Sequence, residues 1–273
     1  LEFACDPDQY QIEPAPGIRR GRQSGVMHMY DRGLSEEQKM MRQSCHDFVD
    51  DMVLPYIKKN WQKEWSMVPE ERLPLSILEG AEKVGIRTLG VPEEYGGVEL
   101  EKGTEVRTFA LVAEEIARGD SGLADKLVQN WKVSVLLRQF APKHHQEHWF
   151  KRLVAEPQFL MAHCLTEPRG ASDRWLPYNV PEAAMQTRAV KTNGGWIING
   201  RKQFISNGYD ASLYVVYANT NPKVGMLQGT SSFLVPRETK GFTVARCNET
   251  LGCRFMNNGE MVFEDMFIPD DQL

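Results

Sequence analysis

The residues best placed for chemistry lie between Phe159 and Gly208. An apolar run from Phe159 to Leu165 stops abruptly at Thr166-Glu167-Pro168. It is followed by the small-residue loop Arg169-Gly170-Ala171-Ser172-Asp173. A strand ending this way delivers hydroxyls and bare backbone N–H groups to a ligand. A second edge of the same kind comes later. The Asn193-Gly194-Gly195 turn and the β-rich Trp196-Ile197-Ile198 predict a hairpin whose second strand runs into Phe204-Ile205-Ser206-Asn207-Gly208.

Two further groups invite a chemical reading. His144, His145 and His148 lie in HHQEH, and histidines four apart share a helix face. The local acid is Glu147 and the pattern is not HExxH, so no metal site is expected there. The cysteines are Cys5, Cys45, Cys164, Cys247 and Cys253. Their odd number and lack of CxxC spacing predict reduced thiols rather than a disulfide framework. Cys164, inside the first apolar run, is expected to be a small buried hydrophobe.

The elements that must position these residues fall into two halves. Pro, Gly and the cluster Arg19-Arg20-Gly21-Arg22 mark residues 1–32 as an extended arm or linker. Helical spacing begins after Ser35, a candidate N-cap followed by Glu36 and Glu37. It continues through Met40, Met41, Cys45, Phe48, Val49 and Met52, and Pro55 is expected to close the helix. A second helix runs from Leu75, with Ile77, Leu78, Ala81 and Val84 on one face and Gly85 as its stop. A third spans about Thr104 to Arg118, a fourth is capped by Asp120-Ser121-Gly122, and a fifth follows Pro142. From Phe159 onward short β signals replace helical ones, separated by Gly, Asn and Pro. The expected fold class is α+β: an all-α N-terminal helical domain over 33–156, then a small antiparallel β-barrel or sandwich over 157–273. There is no βαβ alternation, so a Rossmann-type nicotinamide site is not expected.

Composition sets outer limits. The 273 residues are 41% hydrophobic and 25% charged, as in ordinary globular proteins. The net charge of −5 comes from interspersed acids and bases, without the basic stripe that nucleic-acid binding requires. No apolar run approaches the roughly 18 residues of a membrane span. A soluble protein of the bacterial cytoplasm or mitochondrial matrix is expected.

The strings CLTEPRGASD, GWIINGRKQFISNG and VFEDMFIPDDQL resemble the acyl-CoA dehydrogenase family, in that family's order, and PEEYGG matches its loop between early helices. The resemblance covers nearly everything after residue 32. It implies an FAD-dependent oxidoreductase of fatty acid metabolism. A carboxylate removes the α-proton of an acyl-CoA thioester, flavin N5 takes the β-hydride, and an electron-transfer flavoprotein or similar acceptor follows. It assigns the pyrimidine side of the flavin to His163, Leu165 and Thr166, and the pyrophosphate and thioester region to Ala171 and Ser172. Phe204 then packs on the ring and Ser206 directs a hydroxyl towards N5, with Ile205 between them. Thr166 and Ser172 as turn caps, and Phe204 as core, stay open as plainer accounts.

The departures are Arg169 at the entrance, Ala171 where glycine is usual, Phe204 for tryptophan, Ser206 for threonine, and an insertion over Arg174 to Pro181. The family's catalytic glutamate belongs to a C-terminal four-helix domain that also builds a homotetramer. That domain is expected to begin where this sequence ends, so no catalytic residue is assigned here. A fragment, one half of a split protein with a partner chain, and a non-catalytic scaffolding relative remain alternatives, as do an acyl-CoA oxidase and a flavin monooxygenase on the same scaffold. A dimer or tetramer is expected.

Overall fold

The computed structural model describes residues 33–72, 74–169 and 180–273. The 1–32 arm, the loop residues Ala171 and Ser172, and most of the 174–181 insertion therefore lie outside the described residues. Glu36–Leu273 form one compact unit.

The first helix, α1 (Glu36–Phe48), does not stop at Pro55 as its sequence predicts. It passes through a π-helical segment, Val49–Val53, into α2 (Leu54–Asn60). Proline lacks an N–H and its ring clashes with the carbonyl four residues back, and widening the turn just before it removes both conflicts. The wide segment needs room on its packing face. A Cβ at Gly119 would sit 2.6 Å from Val53 Cγ1 and 3.0 Å from Val49 Cγ1, so only glycine fits that contact.

The other helices are α3 (Leu75–Lys83), α4 (Glu105–Gly119), α5 (Ser121–Phe140) and α6 (Lys143–Ala155). In α3 the buried face is Ile77, Leu78 and Ala81, while Leu75 and Val84 are exposed. These two lie at the helix ends, where neighbours no longer cover the stripe. The α5 start matches expectation, with Asp120 Oδ1 accepting from Leu123 N at 2.8 Å. This helix is buried on most sides, by Leu123, Leu127, Trp131 and Val133 but also by Lys126, Asn130 and Ser134. Despite its polar sequence, α6 buries one face, through His145, Gln146, Trp149, Phe150 and Leu153. Fully buried Arg87 donates to the carbonyls of Leu153, Val154 and Glu156 and so closes the C-terminal end of α6.

Seven strands follow: β1 (Met161–Cys164), β2 (Arg188–Thr192), β3 (Gly195–Ile205), β4 (Leu213–Asn219), β5 (Thr230–Pro236), β6 (Phe242–Cys247) and β7 (Gly259–Pro269). Their order is β1-β4-β2-β3-β7-β6, with β5 on the other side of β4. The fold class is as expected, a helical part followed by a curled, half-barrel sheet. The sheet is mixed rather than wholly antiparallel, since β4 pairs in parallel with both β1 and β2. The β2–β4 link is the single pair Arg188↔Asn219. So narrow a joint lets the sheet curl around a core that includes Tyr214, Val216, Phe233, Met261 and Phe263.

The two halves are joined by a polar seam. Lys126 of α5, fully buried, meets Asp210 at 2.5 Å, and Asp210 also accepts from Asn257 Nδ2 at 2.9 Å. Asn207 Nδ2 donates to Lys126 O at 2.8 Å and Met161 O at 3.2 Å, and Met161 N donates to Asn130 Oδ1 at 2.8 Å. Removing one member of a buried pair strands the other charge in a medium that cannot solvate it. Asp210→Ala is therefore expected to lower the unfolding free energy by about 3–5 kcal/mol. Urea melts of variant and parent read this directly, and an unchanged midpoint would show that the seam carries no weight.

Candidate functional site

The two edges marked by the sequence come together. Gln203 N, near the end of β3, donates to Thr166 O, just past β1, at 2.9 Å. A second tie lies beneath it. Lys202 Nζ, fully buried, meets Glu167 Oε1 at 2.9 Å and also donates to Leu165 O at 3.1 Å. Glu167 further accepts from Gln186 N at 2.7 Å and Thr187 N at 2.9 Å. Burial alone would raise the Glu167 pKa. Lys202 and the donors at Thr187 and Gln186 outweigh burial and hold the carboxyl below the ordinary glutamate range.

The β3 backbone explains how Lys202 and Phe204 can face opposite ways. Strict alternation would put both on one side of the sheet. The β3–β7 register shifts between Lys202 and Ile205, and Phe204 takes φ +57°. Lys202 and Ile205 are then both buried, while Phe204 turns outward and is 57% exposed. A bulky residue in the left-handed region costs about 1–2 kcal/mol. An outward-turned aromatic held in such a conformation is the sort of strain found at ligand sites.

The site residues named from the sequence are distributed as follows. Leu165 is buried and Thr166 half-buried at the end of β1. His163, within β1, is half-buried, its ring edge-on to Tyr217 with centroids 4.9 Å apart. It also lines a groove of about 460 Å³ between α4 and α5, whose walls include Phe109, Ala113, Val128 and Trp131. Ser206 is half-buried with its hydroxyl 3.6 Å from Met256 Sδ, a weak partner that leaves the group largely available. Ile205 belongs to the sheet core, so its contribution to a ligand is restricted to the backbone. Phe204 as simple core is excluded by its exposure. Cys164 is fully buried with its thiol pKa pushed up by burial, as a structural cysteine should be. Sequence reasoning named neither Lys202 nor Glu167 as a site-building residue. A lone lysine inside a strand pattern, five residues after the Gly195-Trp196-Ile197 start, was the available signal.

These positions suit a flat ring with hydrogen-bonding edges. Phe204 offers a face, Leu165 an apolar contact and Ser206 a hydroxyl, while the Leu165 and Thr166 carbonyls, accepting from Lys202 and Gln203 N, each have a second lone pair.

Because Glu167 has a folded pKa below its unfolded value, it stabilises the fold above the unfolded pKa, and this contribution fades as pH falls through the folded value. Glu167→Gln is expected to cost about 3–5 kcal/mol at pH 7, where it strands Lys202. The gap between variant and parent should begin to narrow below about pH 4, the ordinary glutamate range, and close as pH falls through the lowered folded value and the parent's own carboxylate protonates. Urea midpoints taken from pH 7 downward test this, and a gap independent of pH would count against the pair.

Comparison with known proteins gives consistent matches. The description "Acyl-CoA dehydrogenase, N-terminal domain" matches residues 35–157, and "Acyl-CoA dehydrogenase, middle domain" matches residues 162–266. An acyl-CoA dehydrogenase of Bacillus subtilis is 29% identical over 240 residues, covering 88% of this chain and 58% of the relative. Butyryl-CoA dehydrogenase from Megasphaera elsdenii superposes with a TM-score of 0.71 at 26% identity, covering 88% of this chain and 58% of that one. The structure of PigA with FAD and proline superposes at 0.74 with 28% identity, covering 89% and 58%. The chain thus spans less than two thirds of the length of the relatives it matches.

Proposed function

The chain belongs to the acyl-CoA dehydrogenase family, and from that premise we propose that it forms the FAD-binding part of an enzyme that dehydrogenates an acyl-CoA thioester between its α and β carbons. The observation that carries this reading is the paired edge at Leu165–Thr166 and Phe204–Ser206, tied by Gln203 N and Thr166 O. When bound, FAD supplies the hydride acceptor.

The chain's own residues have distinct tasks in this reading. The backbone of His163, Leu165 and Thr166 meets the polar edge of the cofactor ring. Phe204 covers one face of that ring, and the strain at its backbone keeps the aromatic face turned out before any ligand arrives. Ser206 presents a hydroxyl, and Ile205 fixes the backbone between them from the sheet core. Ala171 and Ser172 are assigned to the pyrophosphate and thioester region. The apolar groove beside His163 accepts the acyl chain.

Glu167 is not the α-proton base. Its oxygens are occupied by Lys202, Gln186 and Thr187, and it is held ionised by a lysine that must keep it so. The relatives extend well beyond the matched part, and the carboxylate base is assigned to that further length. A second copy or partner chain, and an electron-transferring flavoprotein as acceptor, complete the proposed assembly.

Phe204→Ala combined with Ser206→Ala is expected to lower flavin retention at least about tenfold, as loss of a stacked aromatic and a placed hydroxyl implies. Its unfolding free energy without flavin should stay within about 1 kcal/mol of the parent, since Phe204 is exposed and alanine keeps the same left-handed backbone cost. Flavin absorbance and unfolding measured on the same purified protein separate the two effects. Equal FAD content in the folded double variant would sink the assignment. In the protein carrying the further length that holds the base, flavin bleached anaerobically by acyl-CoA supports the dehydrogenase, whereas flavin reduced only by an external reductase would indicate a monooxygenase.

A further inference from the structure

The histidine cluster of α6 acquires a third donor that its sequence neighbourhood does not contain. The turn after β7 brings Asp271 against the first turn of α6, and His144, His145 and Asp271 place nitrogen and carboxylate ligand atoms within 4.8 Å of one another. We propose that these three side chains form a binding site for a divalent transition ion of the zinc type, which clamps the exit of the sheet to α6.

The three side chains lie within reach of one ion. His145 Nε2 lies 3.8 Å from Asp271 Oδ2. Two donors at about 2.0–2.2 Å from one ion are separated by not more than about 4.4 Å, so this pair is close enough to share one, and the full set, within 4.8 Å, closes by a small turn of the exposed members. His145 is the fixed member, with its side chain only 7% exposed, and its Nε2–H donates to the Asp271 carbonyl at 2.8 Å, a hydrogen bond that gives way, with its proton, when this nitrogen takes an ion. That carbonyl contact orients the ring towards the turn. His144 and Asp271 are exposed and can adjust, and the His144 and His145 rings stand 4.2 Å apart, tilted by 42°. Two imidazoles with one carboxylate form a donor set suited to zinc, leaving a position for water.

The surrounding charges do not oppose an ion as strongly as their number suggests. Lys143 is directed to Glu94 at 3.0 Å, and Lys191 is paired with Asp270. The N-terminal dipole of α6 does oppose a cation, and the Asp271 carboxylate offsets it. The set is also not the one considered from the sequence: among the described residues His144 and His148, four apart, gain no third donor, whereas adjacent histidines and a residue more than a hundred positions away do. The proposal stands apart from any flavin chemistry, since none of these residues belongs to the β1–β3 edge.

The test is a zinc titration of the chelator-treated protein by calorimetry near neutral pH, with cobalt absorption to report the ligand set. One saturable equivalent is expected, together with a rise in melting temperature on adding zinc. His144→Ala and Asp271→Asn should each weaken binding at least about tenfold, while melting as the parent does in the presence of chelator. His145→Gln, which retains a donor for the Asp271 carbonyl, should abolish the intense tetrahedral cobalt bands. Absence of saturable binding would overturn the proposal, and so would equal binding by parent and variants, which would move the ion to other groups such as the cysteines.

Discussion

The placement of the candidate site depends on the meeting of Lys126 and Asp210 between α5 and the sheet. Apolar contact between the helical half and the sheet half is non-directional, and by itself it would tolerate α5 sliding or rolling on its neighbours. A fully buried ammonium does not tolerate it, because every position except the one beside Asp210 leaves a charge without solvent or partner. Asn207 adds to this constraint. Its side chain spans Lys126 O and Met161 O, so one residue of the Ser206-Asn207-Gly208 turn touches both α5 and the first strand. The distance between the two edges is thereby set from below, by the helix, as well as across the sheet.

A consequence is that backbone strain can be held at the site. Phe204 and Asn207 both have φ near +58°, within four residues of each other. Neither is glycine, and a free hairpin end would relax to avoid that cost. Here the register shift before Ile205 and the bonds of Asn207 to α5 leave no relaxed alternative that keeps Lys202 buried against Glu167. The strain is localised in the segment where an outward aromatic and an available hydroxyl are useful, and the ion pairs on either side of it supply the stability that offsets it.

Much of this was legible in the sequence. Turn chemistry at Asn193-Gly194-Gly195 and alternation through Trp196–Ile198 predicted the hairpin, and the helical periods after Ser35 and Asp120 located α1 and α5. What escaped was what periodicity cannot encode. The Pro55 signal was overridden by a π-segment that tertiary packing against Gly119 makes possible. The amphipathic face of α6 was hidden because buried His145 and Gln146 look like surface residues until Asp271 and the α5–α6 turn are seen to cover them. Lys126 and Lys202 carry no mark of burial in their own neighbourhoods, because burial of a lysine depends on a partner far along the chain, at Asp210 and Glu167 respectively. In the site, the hydroxyls and the aromatic were visible as residue types, but the outward direction of Phe204 came from a one-residue bulge, which shifts facing without leaving a compositional mark.

The two buried pairs also limit what the edge can bind. Lys202 stands behind Leu165 and Thr166, and Lys126 behind Ser206 and Asn207, so each candidate edge has a cation within a few residues. Both cations are fully enclosed and committed to carboxylates, which neutralises them as seen from the surface. What Leu165–Thr166 and Phe204–Ser206 themselves present is uncharged, an aromatic face, a serine hydroxyl and main-chain polar groups, with the exposed Arg169 lying beyond them. An anionic group such as phosphate is recognised by uncompensated positive charge or by converging N–H groups at a helix start. Neither Thr166 nor Ser206 opens a helix, and the enclosed lysines offer no net charge. A flat, neutral, hydrogen-bonding ring meets no such requirement and gains from the apolar contact of Leu165 and Phe204. On the proposed reading the division of labour follows: the β1–β3 edge is left to hold the ring, and the charged portions of a dinucleotide or thioester ligand must be met elsewhere.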